Sequence, residues 1–112
     1  MKTRSVPVTI TPEAAAEVEK RGWEAELERM LDKVVETIPR LVKIDVELGM
    51  AEDATVVDPV LILPTTTMPW EQLREHDRAW WWWVRDNIPA EVRENVVLLP
   101  HFEDALASQT PP

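Results

Sequence analysis

The chain has 112 residues, a length typical of one domain, and 45% of them are hydrophobic, which favours a folded core over disorder. There is no cysteine, so disulfides, thiolate metal sites and a cysteine nucleophile are excluded. Twelve basic and 21 acidic residues give a net charge of −9, which disfavours direct binding of nucleic acid or anionic lipid. The expected partner is therefore a protein, either a second copy of the chain or a basic protein attracted by the acidic surface.

Hydropathy predicts neither a targeting segment nor a membrane span. The N-terminal residues contain no apolar run long enough for the core of a signal peptide, and no later run is long enough to cross a bilayer. We therefore expect a cytoplasmic protein without a membrane partner. The expected organisation is one α+β domain over residues 1–102 and a flexible C-terminal tail over residues 103–112.

The first half of the chain predicts a strand, a helix and a second strand. Residues 5–10 alternate in polarity as a short strand does, and Pro7 favours a place at a sheet edge. Thr11 is typical of an N-cap before a long helix, with a kink or a restart expected at Gly22. Residues 40–48 alternate again and predict a strand with one buried and one largely solvated face.

The second half of the chain predicts a strand, a helix and a last strand. Residues 56–63 form an apolar run, which we expect to be central in its later half, with Pro59 at an edge or a bulge. A helix is expected from about Pro69 to Ile88, where the following proline ends it. Residues 95–102 predict the last strand.

The resulting order is strand, helix, strand, strand, helix, strand. It predicts two helices packed on one face of a four-stranded, mainly antiparallel sheet, an arrangement similar to the ferredoxin-like fold. In that arrangement the second face of the sheet is free. The alternative is an α+β sheet that the segment at residues 5–10 does not join.

Four consecutive tryptophans lie within the second predicted helix. Because successive residues on a helix turn by about 100°, Trp80 belongs to the apolar stripe that faces the core, and Trp81 lies at its margin. The same stripe contains Trp70 near the start of the helix. Trp82 falls among charged residues on the solvent side, and Trp83 lies on the opposite flank from Trp81.

The exposed tryptophans predict a contact surface for another protein, because tryptophan is enriched at binding hot spots. The residues expected to bind the partner are Trp81, Trp82, Trp83, Arg78 and Arg85. Self-association is the simplest form of such a contact, and an antitoxin-like or inhibitor role against a basic partner is a more specific one. The alternatives are an idle surface Trp82 and a small-molecule pocket lined by Trp80 or Trp83.

The sequence contains no recognisable catalytic, cofactor-binding or metal-binding motif. Asp45 and Glu47 share a strand face, with Asp58 expected across the following hairpin, and such carboxylates suit Mg²⁺ binding or acid–base chemistry. His76 and His101 are the other candidates, the latter beside acidic residues that suit a weak metal site. Solvated charges are the commoner interpretation of both sets, so we expect a non-enzymatic protein with no cofactor. The alternative function is a small-molecule-binding domain or a metal-dependent enzyme that uses the strand-face carboxylates.

Three threonines at residues 65–67 precede the second predicted helix. Backbone N–H groups at a helix N-terminus can bind an anion, but N-capping of the helix by threonine accounts for the run. The chain has only two glycines, so there is no glycine-rich phosphate loop, and its serines lie near the two ends. We therefore expect these threonines to have a structural role.

Overall fold

The computed structural model describes residues 6–50 and 58–103, which form an α+β fold of four helices and a five-stranded sheet. In chain order the elements are β1 (Val8–Ile10), α1 (Pro12–Arg21), α2 (Glu24–Thr37), β2 (Leu41–Leu48), β3 (Val60–Thr66), α3 (Trp70–Asn87), α4 (Ala90–Arg93), β4 (Val96–Leu98) and β5 (His101–Phe102). The helices pack on the sheet, so the predicted α+β class is confirmed. None of the described helices is long and apolar enough to cross a membrane. The predicted tail lies outside the described residues except for Glu103, and the domain limits stay a prediction.

The sheet is mixed, which corrects the expectation of a mainly antiparallel sheet. Its strands lie in the order β1-β2-β3-β4, and β5 pairs with β3 beyond β4. Among the described strands, β2 and β3 are antiparallel, whereas β1 is parallel to β2, and β4 and β5 are parallel to β3. The ferredoxin-like order is not confirmed, because its split units place another strand between two parallel strands, whereas β1 and β2 are direct neighbours.

The two crossover connections of the sheet have opposite hands. Buried residues of all four helices belong to one hydrophobic core, which lies on one face of the sheet. The connection from β1 leads to its neighbour β2, and the connection from β3 leads to its neighbour β4, so both step in the same direction across the sheet. The strands of the first pair run opposite to those of the second, because β3 is antiparallel to β2. One crossover is therefore left-handed, against the strong general preference for right-handed connections. An interleaved strand order, as in the ferredoxin-like arrangement, avoids this conflict.

The core lies between the helices and the sheet face that carries Ile44, Val46 and Ile62, all fully buried. The predicted alternation of β2 is confirmed at Ile44 and Val46, since Lys43 and Glu47 on either side of this pair are exposed and Asp45 between them is partly exposed. β3 lies between β2 and the β4–β5 edge, as expected for the later half of the longest apolar run. β1 lies at the opposite edge of the sheet, which agrees with the place predicted from the proline before it.

Local sequence signals set several element boundaries. The Thr11 side chain accepts a hydrogen bond from the Ala14 backbone N–H at 3.2 Å, which caps α1 as predicted. Gly22 adopts φ 71°, a left-handed conformation that favours glycine, so the predicted helix ends and restarts there as α1 and α2. The last predicted strand divides into β4 and β5 at Pro100, which has no backbone N–H to donate to the sheet.

The threonines at residues 65–67 do not cap α3, which corrects the expectation of a side-chain cap. Pro69 is the N-cap of α3, and no side chain bonds the free N–H groups there. Thr66 is fully buried instead, and its hydroxyl donates to the Pro39 carbonyl at 2.8 Å and accepts from the Met68 N–H at 3.1 Å. This hydroxyl therefore connects the turn that enters β2 to the turn that enters α3.

Candidate binding groove beside the third helix

The four consecutive tryptophans occupy four different environments on α3. Trp80 is fully buried, and its indole N–H donates to the Met30 carbonyl of α2 at 3.2 Å. Trp81 is half-buried and packs edge-on against Trp80, with 4.9 Å between the ring centroids. Trp82 is 53% exposed, and Trp83 is half-buried. The helical prediction of which tryptophan faces the core and which faces solvent is confirmed.

Trp83 lies on the flank of α3 that meets α2. The Arg29 guanidinium is 5.7 Å and the Lys33 ammonium 5.5 Å from its ring, so two cations of the same chain lie over it. These contacts already cover part of the ring. The predicted role of Trp83 in binding a partner stays a prediction, and its position separates it from the groove described below.

Trp70 is 48% exposed, which corrects its assignment to the core stripe. It is the first residue of α3, and its ring meets the edge of the Phe102 ring at 6.2 Å between centroids. Phe102 lies on the short β5 and is itself 47% exposed. Helical periodicity gives the direction of a side chain but not the extent of the sheet beneath it, and at this end the sheet ends in the two residues of β5.

A groove of about 740 Å³ runs along the flank of α3 opposite α2. Its aromatic wall is formed by Trp70, Trp81 and Trp82, and Val84, which is almost fully buried, lies at its base. α4 and the residue after it form the other side through Arg93 and Glu94. We call this surface the α3 groove. An open site of this size with an aromatic lining is suited to binding an apolar group.

The rim of the α3 groove is rich in arginine although the whole chain is strongly acidic. Its cationic residues outnumber its two carboxylates, Asp77 and Glu94; they are Arg74, Arg78, Arg85 and Arg93. The Arg85 guanidinium lies 5.0 Å from the Trp82 ring, within range of a cation–π contact. The groove therefore favours an apolar group that carries negative charge over a basic one.

Asp77 lies in the α3 groove with one oxygen in an unfavourable environment. Its Oδ1 atom is enclosed and has no hydrogen-bond partner within the described structure. Burial away from water disfavours the charged form and raises the pKa of Asp77 above its usual value. Keeping this carboxyl ionised is therefore a cost to the fold.

Four of the five residues predicted to bind a partner line this groove. These are Arg78, Trp81, Trp82 and Arg85. Trp70, Arg74 and Asp77 also line the groove and were not predicted to do so, although spacings of four, three and four residues from Trp70 to Trp81 mark one flank of a helix. Arg93 had no signal in the sequence, because α4 is brought beside α3 by the fold.

The predicted strand-face carboxylates do not form a site with Asp58. The sheet register pairs Asp45 with Leu63 and Glu47 with Leu61, so Asp58, three residues before Leu61, is not opposite either carboxylate. Asp45 instead lies 3.6 Å from the Lys43 ammonium, in a partly exposed ion pair. The carboxylates therefore match the interpretation of a solvated strand face.

The two histidines lie on opposite sides of the sheet. His76 belongs to α3, whereas His101 is in register with Thr65, on the sheet face turned away from the helices. They therefore cannot form one catalytic or metal-binding pair. Across residues 6–50 and 58–103, no group of three or more histidine, aspartate or glutamate side chains is placed to hold a metal ion.

No protein-family model, curated protein sequence or solved structure matches the chain. The geometry and charge of the α3 groove are therefore the basis for a functional proposal.

Proposed function

We propose that this chain is a non-enzymatic protein-interaction module that self-associates through α3, with Trp82 at the centre of the contact. The observation that carries the proposal is the exposed Trp82 beside an aromatic groove that continues to Trp70. Burying a large apolar side chain that is otherwise exposed is worth about 1.5–3 kcal/mol. Tryptophan and arginine are also the residue types most enriched at binding hot spots, and both are concentrated here.

The size of the surface favours a weak dimer over a permanent one. α3 has 18 residues and is about 27 Å long, so one helix face supplies a small contact area. Specific protein interfaces bury at least about 1,200 Å² in total, and weaker complexes lie below that size. We therefore expect a dimer that dissociates on dilution through the micromolar range.

A basic partner, as in an antitoxin-like role, fits the α3 groove less well. The four arginines at its rim would repel a basic surface. Such a partner would have to dock on another, acidic part of the chain, whose net charge is −9. Self-association through the groove requires no second protein of opposite charge and is the simpler proposal.

The proposal is tested by measuring molar mass across a range of concentrations, by sedimentation velocity and light scattering. Trp82→Glu places a carboxylate in the centre of the contact, so we expect a dimeric wild type and a monomeric variant. Val42→Glu is the matched control, because Val42 is an exposed apolar residue on β2 and its substitution changes the net charge equally. Circular dichroism checks that both variants are folded.

A wild type that stays monomeric at the highest concentration contradicts self-association. A dimer that survives Trp82→Glu but dissociates with Val42→Glu places the contact on the sheet instead of on α3. A dimer lost only in the Trp82 variant supports the proposal.

A second candidate function is the binding of a small anionic molecule in the α3 groove. The observation that favours it is the combination of a buried base at Val84 and a cationic rim. Anilinonaphthalene sulfonate, an aromatic anion that fluoresces in apolar surroundings, is a suitable probe. Binding in the groove should tighten with Asp77→Asn, which removes a negative charge beside the probe. Equal binding by both proteins would place the probe elsewhere.

A further inference from the structure

The exposed face of α3 carries positive charge on one side of Trp82 and negative charge on the other. Taking about 100° per residue and Trp82 as the midline, Arg78, Arg85 and Arg74 lie about 40°, 60° and 80° to the groove side. Glu75 and Asp86 lie about 20° and 40° to the other side. The lining of the groove supports this division, because it includes the three arginines and neither acid. Glu71 lies close to the midline, near the start of the helix.

Two symmetric arrangements of a helix pair bring different flanks together. When two identical helices run parallel about a two-fold axis, each flank meets the opposite flank of the second copy. When they run antiparallel, each flank meets the same flank of the second copy. On α3 the antiparallel arrangement would place arginines against arginines and acids against acids, whereas the parallel one places arginines against acids.

We propose, on the basis of the self-association proposed above, that the occupant of this surface is a second copy whose α3 runs parallel to the first. In register, Arg74 lies one residue from the level of Glu75 of the second copy, a step of about 1.5 Å along the axis. Arg85 stands in the same relation to Asp86 of the second copy. Because the arrangement is two-fold, each of these pairs occurs twice.

The arrangement also accounts for the position of Trp82 between the two charged flanks. The two copies of this ring meet at the two-fold axis, between the arginine flank of one copy and the acidic flank of the other. Arg85 already stacks on Trp82 at 5.0 Å, so its guanidinium lies close to the midline and within reach of the facing acid. Such pairs at the edge of a contact set orientation more than affinity.

The first test is cysteine cross-linking, for which the chain is suited because it contains no cysteine of its own. In the parallel arrangement the cysteine of Glu71→Cys faces the same cysteine of the second copy, and we expect a disulfide-linked dimer under mild oxidation. An antiparallel pair centred on Trp82 would separate these cysteines by about 33 Å along the axis. Glu24→Cys, an exposed glutamate on α2, is the matched control and should not cross-link.

The second test is the sign of a charge reversal, measured as the dimer dissociation constant by sedimentation. In the parallel arrangement Arg85→Glu faces Asp86 and weakens the dimer by about fivefold to tenfold over the two equivalent pairs. Adding Asp86→Arg exchanges the two charges and should restore most of the affinity. In an antiparallel arrangement Arg85→Glu removes repulsion between arginines and would strengthen the dimer.

The two proposals fail in different ways. If the Trp82→Glu variant has the same molar mass in solution as the wild type, self-association through α3 is wrong, and the parallel arrangement is wrong with it. If Trp82→Glu gives a monomer but Glu71→Cys does not cross-link and Arg85→Glu strengthens the dimer, self-association stands and the parallel arrangement is overturned. Cross-linking at Glu71→Cys together with weakening by Arg85→Glu supports both.

Discussion

Trp80 and Trp82 lie two residues apart on α3, and the fold uses them in opposite ways. Trp80 is fully buried, with its indole N–H bonded to a carbonyl of α2, whereas Trp82 is 53% exposed. Two residues turn a helix by about 200°, so neighbours of identical chemistry face opposite directions. The comparison shows that the angle of a tryptophan on the helix, and not its hydrophobicity, decides whether it stabilises the fold or is available for contact.

The two flanks of α3 also differ in how far the rest of the chain covers them. On the α2 side, Trp83 is covered by Arg29 and Lys33 of its own chain. On the groove side, Trp81 and Trp82 line an open surface. Because the flank beside α2 is already covered, the groove flank is where a partner can bury additional apolar area of α3.

The largest effect on stability is expected at Trp80. Trp80→Ala removes a fully buried ring and leaves the Met30 carbonyl without its donor, so the free energy of unfolding should fall by about 3–5 kcal/mol. The measurement is urea denaturation followed by circular dichroism. A fall of less than about 1 kcal/mol would show that the core does not depend on this ring, and would contradict the contrast with Trp82.

A smaller effect on stability is expected at Asp77, where substitution should stabilise the fold instead of destabilising it. Burial raises the pKa of Asp77 in the folded state above its ordinary value, so ionisation is easier in the unfolded chain than in the folded one. Wild-type stability should therefore fall as the pH rises from the unfolded value through the folded one. Asp77→Asn removes this loss and should stabilise the protein modestly at neutral pH, because the side chain is only partly buried and solvent screens its charge.

The gain from Asp77→Asn should vanish in acid below the unfolded pKa, where the wild-type carboxyl is protonated in both states. Asp86→Asn is the control, because Asp86 is exposed on the same helix. Thermal unfolding of the three proteins at neutral and acidic pH provides the comparison. A gain that is equal at both pH values would indicate an effect of the amide other than removal of charge.

The smallest effect on stability is expected at Trp82. In dilute solution, where the proposed dimer has dissociated, Trp82→Glu should change the free energy of unfolding by no more than about 0.5 kcal/mol. The same urea titration measures it. A loss as large as that of Trp80→Ala would mean that Trp82 belongs to the fold, and would remove the basis for treating it as a contact residue.

The sequence alone determined the properties that depend on neighbours along the chain. The period of apolar residues located α3 and separated Trp80 from Trp82, because helical geometry repeats within a few residues. Thr11 and Gly22 marked the start and the end of α1, since capping depends on short-range bonds and on a single backbone angle. The alternation in β2 likewise identified its buried face.

Only the tertiary structure decided the order of the strands and the shape of the groove. Strand order depends on pairing between distant segments, and the left-handed crossover runs against the general preference for right-handed connections. The exposure of Trp70 depends on where the sheet ends beneath it. The position of Arg93 opposite α3 depends on how α4 packs. Each of these features arises from contacts between residues far apart in the chain or from the extent of the sheet, which the local pattern of side chains does not encode.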